Sequence, residues 1–248
     1  MNAPKPRRAL VTGAASGIGA GAARRLLRGG VDVMATDIYS HGLAALAELG
    51  AEPLTADLAD PRDRDQVIEA ASGVDYLVQA AGIIRLLPIE KVTVDDWREV
   101  FAVNAEAMFF LCQGIGATMP AGGAIVNLSS SSAKLTNTTE AAVYAASKAA
   151  VLSITRSFAY SLAPIPVRVN AICPGIIDTP MQDVVLEEVS AIRGLTPQQL
   201  SDLRESSVPL GRGASPDELA ELIWFLLSDG AGYMTGQAVN FDGGLVTW

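Results

Sequence analysis

Tyr144 stands four residues before Lys148 in the segment Val143-Tyr144-Ala145-Ala146-Ser147-Lys148, a spacing that puts phenol and amine on one face of a helix. A free phenol titrates at about pH 10 and is a poor acid or base at neutral pH. A neighbouring ammonium stabilises the phenolate and lowers that value. The pair is therefore a candidate for moving a proton on and off a substrate oxygen. Tyrosine before lysine at this spacing also arises by chance on helix surfaces. The pair gains its weight from other features of the chain.

One of these is a glycine cluster. Gly13-Ala14-Ala15-Ser16-Gly17-Ile18-Gly19 follows the run Leu10-Val11-Thr12 and leads into a helical pattern with Ala20, Ala22, Ala23, Leu26 and Leu27. A strand, a tight glycine turn and a helix start together favour an anion, because the backbone comes close and the helix offers unpaired N–H groups. The spacing is not G-x-G-x-x-G, and the Gly-Lys-Ser/Thr ending of a P-loop is missing. The second apolar run ends at Asp37, where a carboxylate can accept from the ribose hydroxyls of a dinucleotide and repel a 2′-phosphate. Positions 14–18 and 38–40 hold no arginine or lysine. NAD is favoured over NADP on this count. Asp57 and Leu58, after the third run, are placed to touch an adenine. For both aspartates, capping the following segment is an alternative explanation.

Holding these groups requires a scaffold of alternating strands and helices. Short apolar runs predict strands at 9–12, 31–37, 51–56, 76–80, 124–128, 167–172 and 238–241. Several are continuous rather than alternating, as in strands buried on both faces. Between them lie helical patterns with start signals, such as Ser215-Pro216-Asp217-Glu218 and Thr196-Pro197-Gln198-Gln199,. The pattern predicts an α/β fold, a Rossmann-like, doubly wound, seven-stranded parallel sheet with helices on both faces. With no linker or repeat, residues 1–248 read as one domain. The interval 176–210 breaks the rhythm. It reads as an irregular insertion with helical pieces at 181–189 and 197–205, placed to act as a substrate lid beyond the strand ends.

Composition narrows the function further. Half of the chain is hydrophobic and 18% is charged, with a net charge of −9. That balance argues against nucleic-acid binding and against docking on an anionic membrane. No run reaches the length of a membrane span, and the N-terminal apolar run is too short for a secretion signal. A cytoplasmic location follows as the expectation. Cys112, Cys173 and the lone His41 offer neither a metal cluster nor a serine-histidine-aspartate triad. Buried, free thiols are expected.

Taken together, Thr12-Gly13-x-x-x-Gly17-x-Gly19, Ala80-Ala81-Gly82, Asn104, the serine run 129–132, Tyr144-x-x-x-Lys148 and Pro174-Gly175 resemble the short-chain dehydrogenase/reductase family, over residues 7–244. The resemblance implies that Tyr144 is the general acid/base and that Lys148 lowers its pKa and bonds the nicotinamide ribose. A serine would hold the substrate oxygen and Asn104 would position a proton-carrying water. The cofactor-binding set would be Gly13, Ser16, Gly17, Ile18, Gly19, Asp37, Asp57, Leu58, Ala81, Gly82, Tyr144, Lys148, Pro174, Gly175, Ile177 and Thr179. Ala80 departs from the family's usual asparagine, and Ala105-Glu106-Ala107 from its usual Val-x-Gly. The serine is open between two positions: counting from the strand end selects Ser130, the preferred choice, and counting back from Tyr144 selects Ser131.

The implied reaction is NAD-dependent hydride exchange with a secondary alcohol or ketone, with a sugar, polyol or cyclic alcohol ahead of a 3-oxoacyl thioester. The substrate pocket is expected at 84–86, 132–136 and 181–185, with Arg85 and Lys134 read as solvated charges rather than anchors. Apolar faces on 145–162 and 219–227 suggest a homotetramer. Two rivals stand beside this reading: an NAD-sensing regulatory protein and a sugar-nucleotide epimerase or dehydratase. The first has no need of the Tyr/Lys pair, and the second is usually longer after its last strand.

Overall fold

The computed structural model describes residues 6–248. Seven parallel strands form one sheet in the order β3-β2-β1-β4-β5-β6-β7: β1 (Arg8–Thr12), β2 (Asp32–Asp37), β3 (Glu52–Thr55), β4 (Tyr76–Gln79), β5 (Ala124–Leu128), β6 (Arg168–Pro174) and β7 (Ala238–Phe241). Every predicted strand is present, two with the expected ends and the others with ends shifted by one or two residues. The largest shift is at β6, which runs on to Pro174 because Cys173 and Pro174 still pair with Asn240 and Phe241. The order reverses at β1, whose neighbours are β2 and β4. Such a switch point opens a crevice beyond the strand ends.

Because side chains alternate along a strand, each central strand feeds two cores. Ala9, Val11, Val33, Tyr76, Val78 and Val126 face one side and pack with α1 (Gly17–Arg28), α2 (Ser40–Glu48) and α9 (Pro216–Leu227). Leu10, Met34, Leu77, Ile125 and Val169 face the other and pack with α3 (Pro61–Ala70), α5 (Met108–Gly116) and α6 (Ala142–Leu162). Leu10, Leu77 and Ile125 are wholly buried, and each such side chain contributes about 2 kcal/mol of apolar burial.

α4 (Val94–Phe101) runs into α5 through a π-helical stretch, Ala102–Ala107, that holds Asn104. Widened turns of this kind are common at functional sites. The interval after β6 is more regular than its sequence suggests. It forms α7 (Pro180–Arg193), capped by Thr179 and ended by Gly194 in the left-handed conformation, and then α8 (Pro197–Ser206), whose Thr196 and Gln199 form a capping box. Val185, Val189 and Leu200 make a small third core with Leu86 and Ala141, which holds the two helices over the end of the sheet.

Candidate active site

The turn after β1 is shaped by what its glycines leave out. Gly13 has φ +65°, and a Cβ there would sit 2.6 Å from the Ala81 nitrogen. A Cβ on Gly19 would collide with the Gly13 carbonyl oxygen. α1 then begins at Gly17 without a side-chain cap from Ser16, which leaves its first N–H groups free to face an anion.

These residues line a groove of about 250 Å³ that brings together Gly13, Ser16, Gly17, Ile18, Gly19, Asp37, Asp57, Leu58, Ala81, Gly82 and Thr179, eleven of the residues expected from the sequence. Ile38, Tyr39, Ala56, Ala80, Ile83, Val103, Pro180 and Met181 complete it. Adjacency to Asp37 was the available signal for Ile38 and Tyr39. Asp37 does two things at once: Oδ2 accepts from Ala15 N at 3.0 Å and Oδ1 from Tyr39 N at 3.0 Å, while the carboxylate still faces the groove. Asp57 accepts from Ala59 N at 2.9 Å, a local turn, whereas α3 itself is capped by Asp60. Among the described residues the groove lining contains two carboxylates and no lysine or arginine.

A second cavity, of about 130 Å³, adjoins the groove through Ile18, Thr179 and Met181, which line both. Its wall carries Ser130, Ser131, Tyr144, Pro174, Gly175 and Ile177. Of the segments expected to bound it, Ile84, Leu86, Ser132, Met181, Gln182 and Val185 do so. Residues 133–136 do not: the chain turns through a short 3-10 helix at Ser131–Ala133, and Asn137 and Thr138 take their place. Arg85 points away into an exposed pair with Glu99, Nε to Oε2 at 3.0 Å. Lys134 is not the solvated charge expected, because Nζ donates to Asn240 Oδ1 at 2.7 Å and to the Ala238 carbonyl at 3.2 Å.

Behind the cavity wall lies Lys148, 3% exposed, whose Nζ donates to the Leu128 carbonyl at 2.8 Å and sits 5.6 Å from the Tyr144 ring centre. Ser129 Oγ donates to the Lys148 carbonyl at 2.8 Å, so the end of β5 grips α6 at this residue twice. The Asn104 side-chain amide accepts from Ile83 N at 2.8 Å and donates to the Ile83 carbonyl and to Ser147 Oγ. The side chain braces the loop after β4 against α6. Both Asn104 Oδ1 and Lys148 Nζ lie 3.3 Å from the position a Cβ would take on Gly82.

The electrostatics run against the simple expectation for the pair. Burial pushes the Tyr144 phenol up to about 12, and the Ser130 hydroxyl pulls it down by less. Burial also pulls Lys148 down to about 8. The protein's own groups therefore hold Tyr144 as a protonated phenol at neutral pH, with desolvation outweighing the Ser130 hydrogen bond. Of the two serines, Ser130 is the one that acts on the phenol, and its extended backbone starts the 3-10 turn with Oγ accepting from Ser132 N.

A family model described as enoyl-(acyl carrier protein) reductase matches residues 13–246. The chain is 34% identical to a galactitol 2-dehydrogenase of Agrobacterium fabrum, over 95% of this chain and 96% of that one. It is 37% identical to a 3-oxoacyl-[acyl-carrier-protein] reductase of Thermotoga maritima, over 96% of each. Among solved structures, a variant of actinorhodin polyketide ketoreductase with NADPH superposes with a TM-score of 0.90 at 32% identity, covering 100% of both chains.

Proposed function

Because the chain belongs to the short-chain dehydrogenase/reductase family, an oxidoreductase family that uses a nicotinamide cofactor, we propose that it is an NAD-dependent dehydrogenase of a sugar, polyol or cyclic secondary alcohol. The observation that carries this reading is the meeting of two cavities at Ile18, Thr179 and Met181. One is a glycine-floored groove with free helix N–H groups, and the other is walled by Tyr144 and Ser130. The groove fits a dinucleotide: Gly13 and Gly19 line it where a Cβ would strike neighbouring backbone and force the turn open, and Asp37 lines it with lone pairs to spare for ribose hydroxyls,. Two carboxylates and no cation in its lining favour NAD, since a 2′-phosphate would meet repulsion there. That balance leads us to prefer NAD although NADPH accompanies the actinorhodin ketoreductase.

When bound, a nicotinamide cofactor supplies or accepts the hydride, and in its oxidised form carries the positive charge that favours phenolate. Tyr144 exchanges the hydroxyl proton with the substrate oxygen as general acid/base. Ser130 donates a hydrogen bond to that oxygen and stabilises the charge that develops on it. Lys148 holds a proton behind the phenol and bonds the nicotinamide ribose. Asn104 fixes the loop that carries Gly82. Pro174, Gly175, Ile177 and Thr179 form the wall for the nicotinamide, and Gly175 is needed because a Cβ there would lie 2.8 Å from the Asp242 Cα. With α7 and α8 as cover, residues 1–248 act as one catalytic domain.

The galactitol dehydrogenase relative supports a polyol. The acyl-carrier relative keeps 3-oxoacyl reduction as the second reading, disfavoured by a small cavity whose wall includes Ser130, Asn137, Thr138, Gln182 and Ser207. Exposed Trp97, Phe109, Phe110 and Tyr160 on α4, α5 and α6 make an apolar face suited to a homotetramer. Among the described residues no helix is long and apolar enough to cross a membrane. The buried free thiols suit a reducing cytoplasm.

The test is NAD and NADP reduction across polyols, sugars, cyclic alcohols and 3-hydroxyacyl thioesters, with the wild type beside Tyr144→Phe. Turnover of a hydroxylated small molecule with NAD, lost in the variant while NADH still binds, supports the assignment. Undiminished oxidation by the variant removes Tyr144 from the chemistry. Preference for NADP and thioesters selects the second reading.

A further inference from the structure

Arg204 lies on α8 one helical turn after Leu200, whose side chain is buried in the third core. The spacing carries the guanidinium inward, where it lines the same cavity as Tyr144 and Ser130. It is the one charged residue in that lining among the described residues. Its Nη1 is also the one buried side-chain nitrogen or oxygen there without a hydrogen-bond partner.

The chain offers Arg204 no anion. Arg193, the charge that acts on Arg204, is itself paired with the Glu140 carboxylate, its Nε and Nη2 donating to the two oxygens at 2.8 and 2.7 Å. Arg193 in turn repels Arg204, and burial withdraws Arg204 from water, so that both push its pKa down. An unpaired buried charge is expensive, and buried polar groups are normally satisfied. A half-buried guanidinium that lines a reaction cavity with a buried, unpartnered Nη1 suits a planar anion, which it grips through two parallel N–H donors.

We infer that Arg204 anchors a carboxylate on the substrate, so that the alcohol oxidised at Tyr144 belongs to a small hydroxy acid such as a sugar acid. A single planar donor fork matches a carboxylate. A phosphate monoester carries nearly twice the charge and would call for further cations in the same wall. This inference rests on the dehydrogenase reading and narrows its substrate class. It also gives α7 and α8 a purpose beyond cover, since their packing is what brings the charge to the cavity.

Two unreactive probes of similar size test it: malonate and malonamide, titrated into the NAD-saturated protein and followed by thermal unfolding and tryptophan fluorescence. Malonate is expected to bind and stabilise the wild type, and malonamide to bind at least 10-fold more weakly, as loss of a charge-assisted pair requires. Arg204→Gln should lose the malonate response, Arg204→Lys should keep part of it, and the exposed control Arg62→Gln should match the wild type. Without ligand, Arg204→Gln should unfold at a higher temperature than the wild type, because it removes an unpaired charge. A residue held only for structure would move the other way.

Equal binding of the two probes, or an undiminished malonate response in Arg204→Gln, overturns the inference. Should Arg204→Gln not fold, the wild-type probe comparison and Arg204→Lys decide alone. In turnover, the preference for an aldonate over the matching polyol should fall roughly 10- to 100-fold in Arg204→Gln, mainly through KM. Arg204-dependent malonate binding with no alcohol oxidised would sink the dehydrogenase reading and leave the anion site standing.

Discussion

Lys148 Nζ lies 5.6 Å from the centre of the Tyr144 ring and donates at 2.8 Å to the carbonyl of Leu128, the last residue of β5. The amine is held by the sheet rather than by the phenol. Its pKa falls from 10.5 to about 8 through burial, so the folded protein binds fewer protons than the unfolded chain between those values. Stability from this group is present above the unfolded value and is lost as pH falls through 8. Lys148→Met should therefore raise stability at pH 7 by about 2 kcal/mol, allowing for the lost bond to Leu128. The advantage should shrink between pH 8 and 10.5, as urea unfolding at stepped pH will show. Turnover should be lost. For Tyr144, raised from 10.0 to about 12, the sign reverses: its stability is present below pH 10 and lost as pH rises towards 12, a loss that Tyr144→Phe abolishes.

Asp37 ties Ala15 N and Tyr39 N while facing the groove, so its replacement acts in two ways. Asp37→Ala removes the acceptor for ribose hydroxyls and the repulsion toward a 2′-phosphate. The KM for NAD should rise about 10-fold and the relative use of NADP should improve. Freeing two backbone donors should also cost about 1 kcal/mol of stability, measurable by thermal unfolding. An unchanged NAD/NADP ratio takes Asp37 out of the ribose contact.

The strands were readable because each is a short apolar run, and burial on both faces writes that pattern directly into the residues. The glycine turn and Asp37 were readable for a similar reason: backbone shape and a strand end are local properties. The interval after β6 looked irregular because its helices bury little, with Val185, Val189, Ser190 and Leu200 as their buried residues. Charges were read least well. Lys134 finds Asn240 across more than a hundred residues, and Glu140 finds Arg193 across 53. Nothing in local spacing announces such partners. The upward shift of Tyr144 has the same origin, since desolvation is a property of the finished fold.

The glycine turn should tolerate no side chain at two positions, for different reasons. Gly13→Ala combines a φ of +65° with a Cβ 2.6 Å from Ala81 N, which strains both the turn and the loop after β4. Gly19→Ala keeps an ordinary helical φ but drives its Cβ into the Gly13 carbonyl. Each should lower stability by about 1–3 kcal/mol and weaken NADH binding at least 10-fold by fluorescence titration. An alanine at Gly19 that binds NADH normally would mean that the turn opens more freely than its packing implies.

Ser130 and Ser131 both line the reaction cavity, yet their settings differ. Ser130 is 8% exposed, begins the turn after β5 and lowers the Tyr144 pKa. Ser131 lies one residue on, inside the 3-10 turn, and exerts no resolved pull on the phenol. A donor aimed at the reacting oxygen is worth roughly 100-fold or more in kcat. Ser130→Ala should therefore cut kcat by about that factor with little change in KM, and Ser131→Ala should change kcat by no more than about 3-fold. The two variants need only steady-state kinetics on the best substrate from the screen. The reverse ranking would move the oxyanion contact to Ser131, the serine selected by counting back from Tyr144 rather than from the strand end.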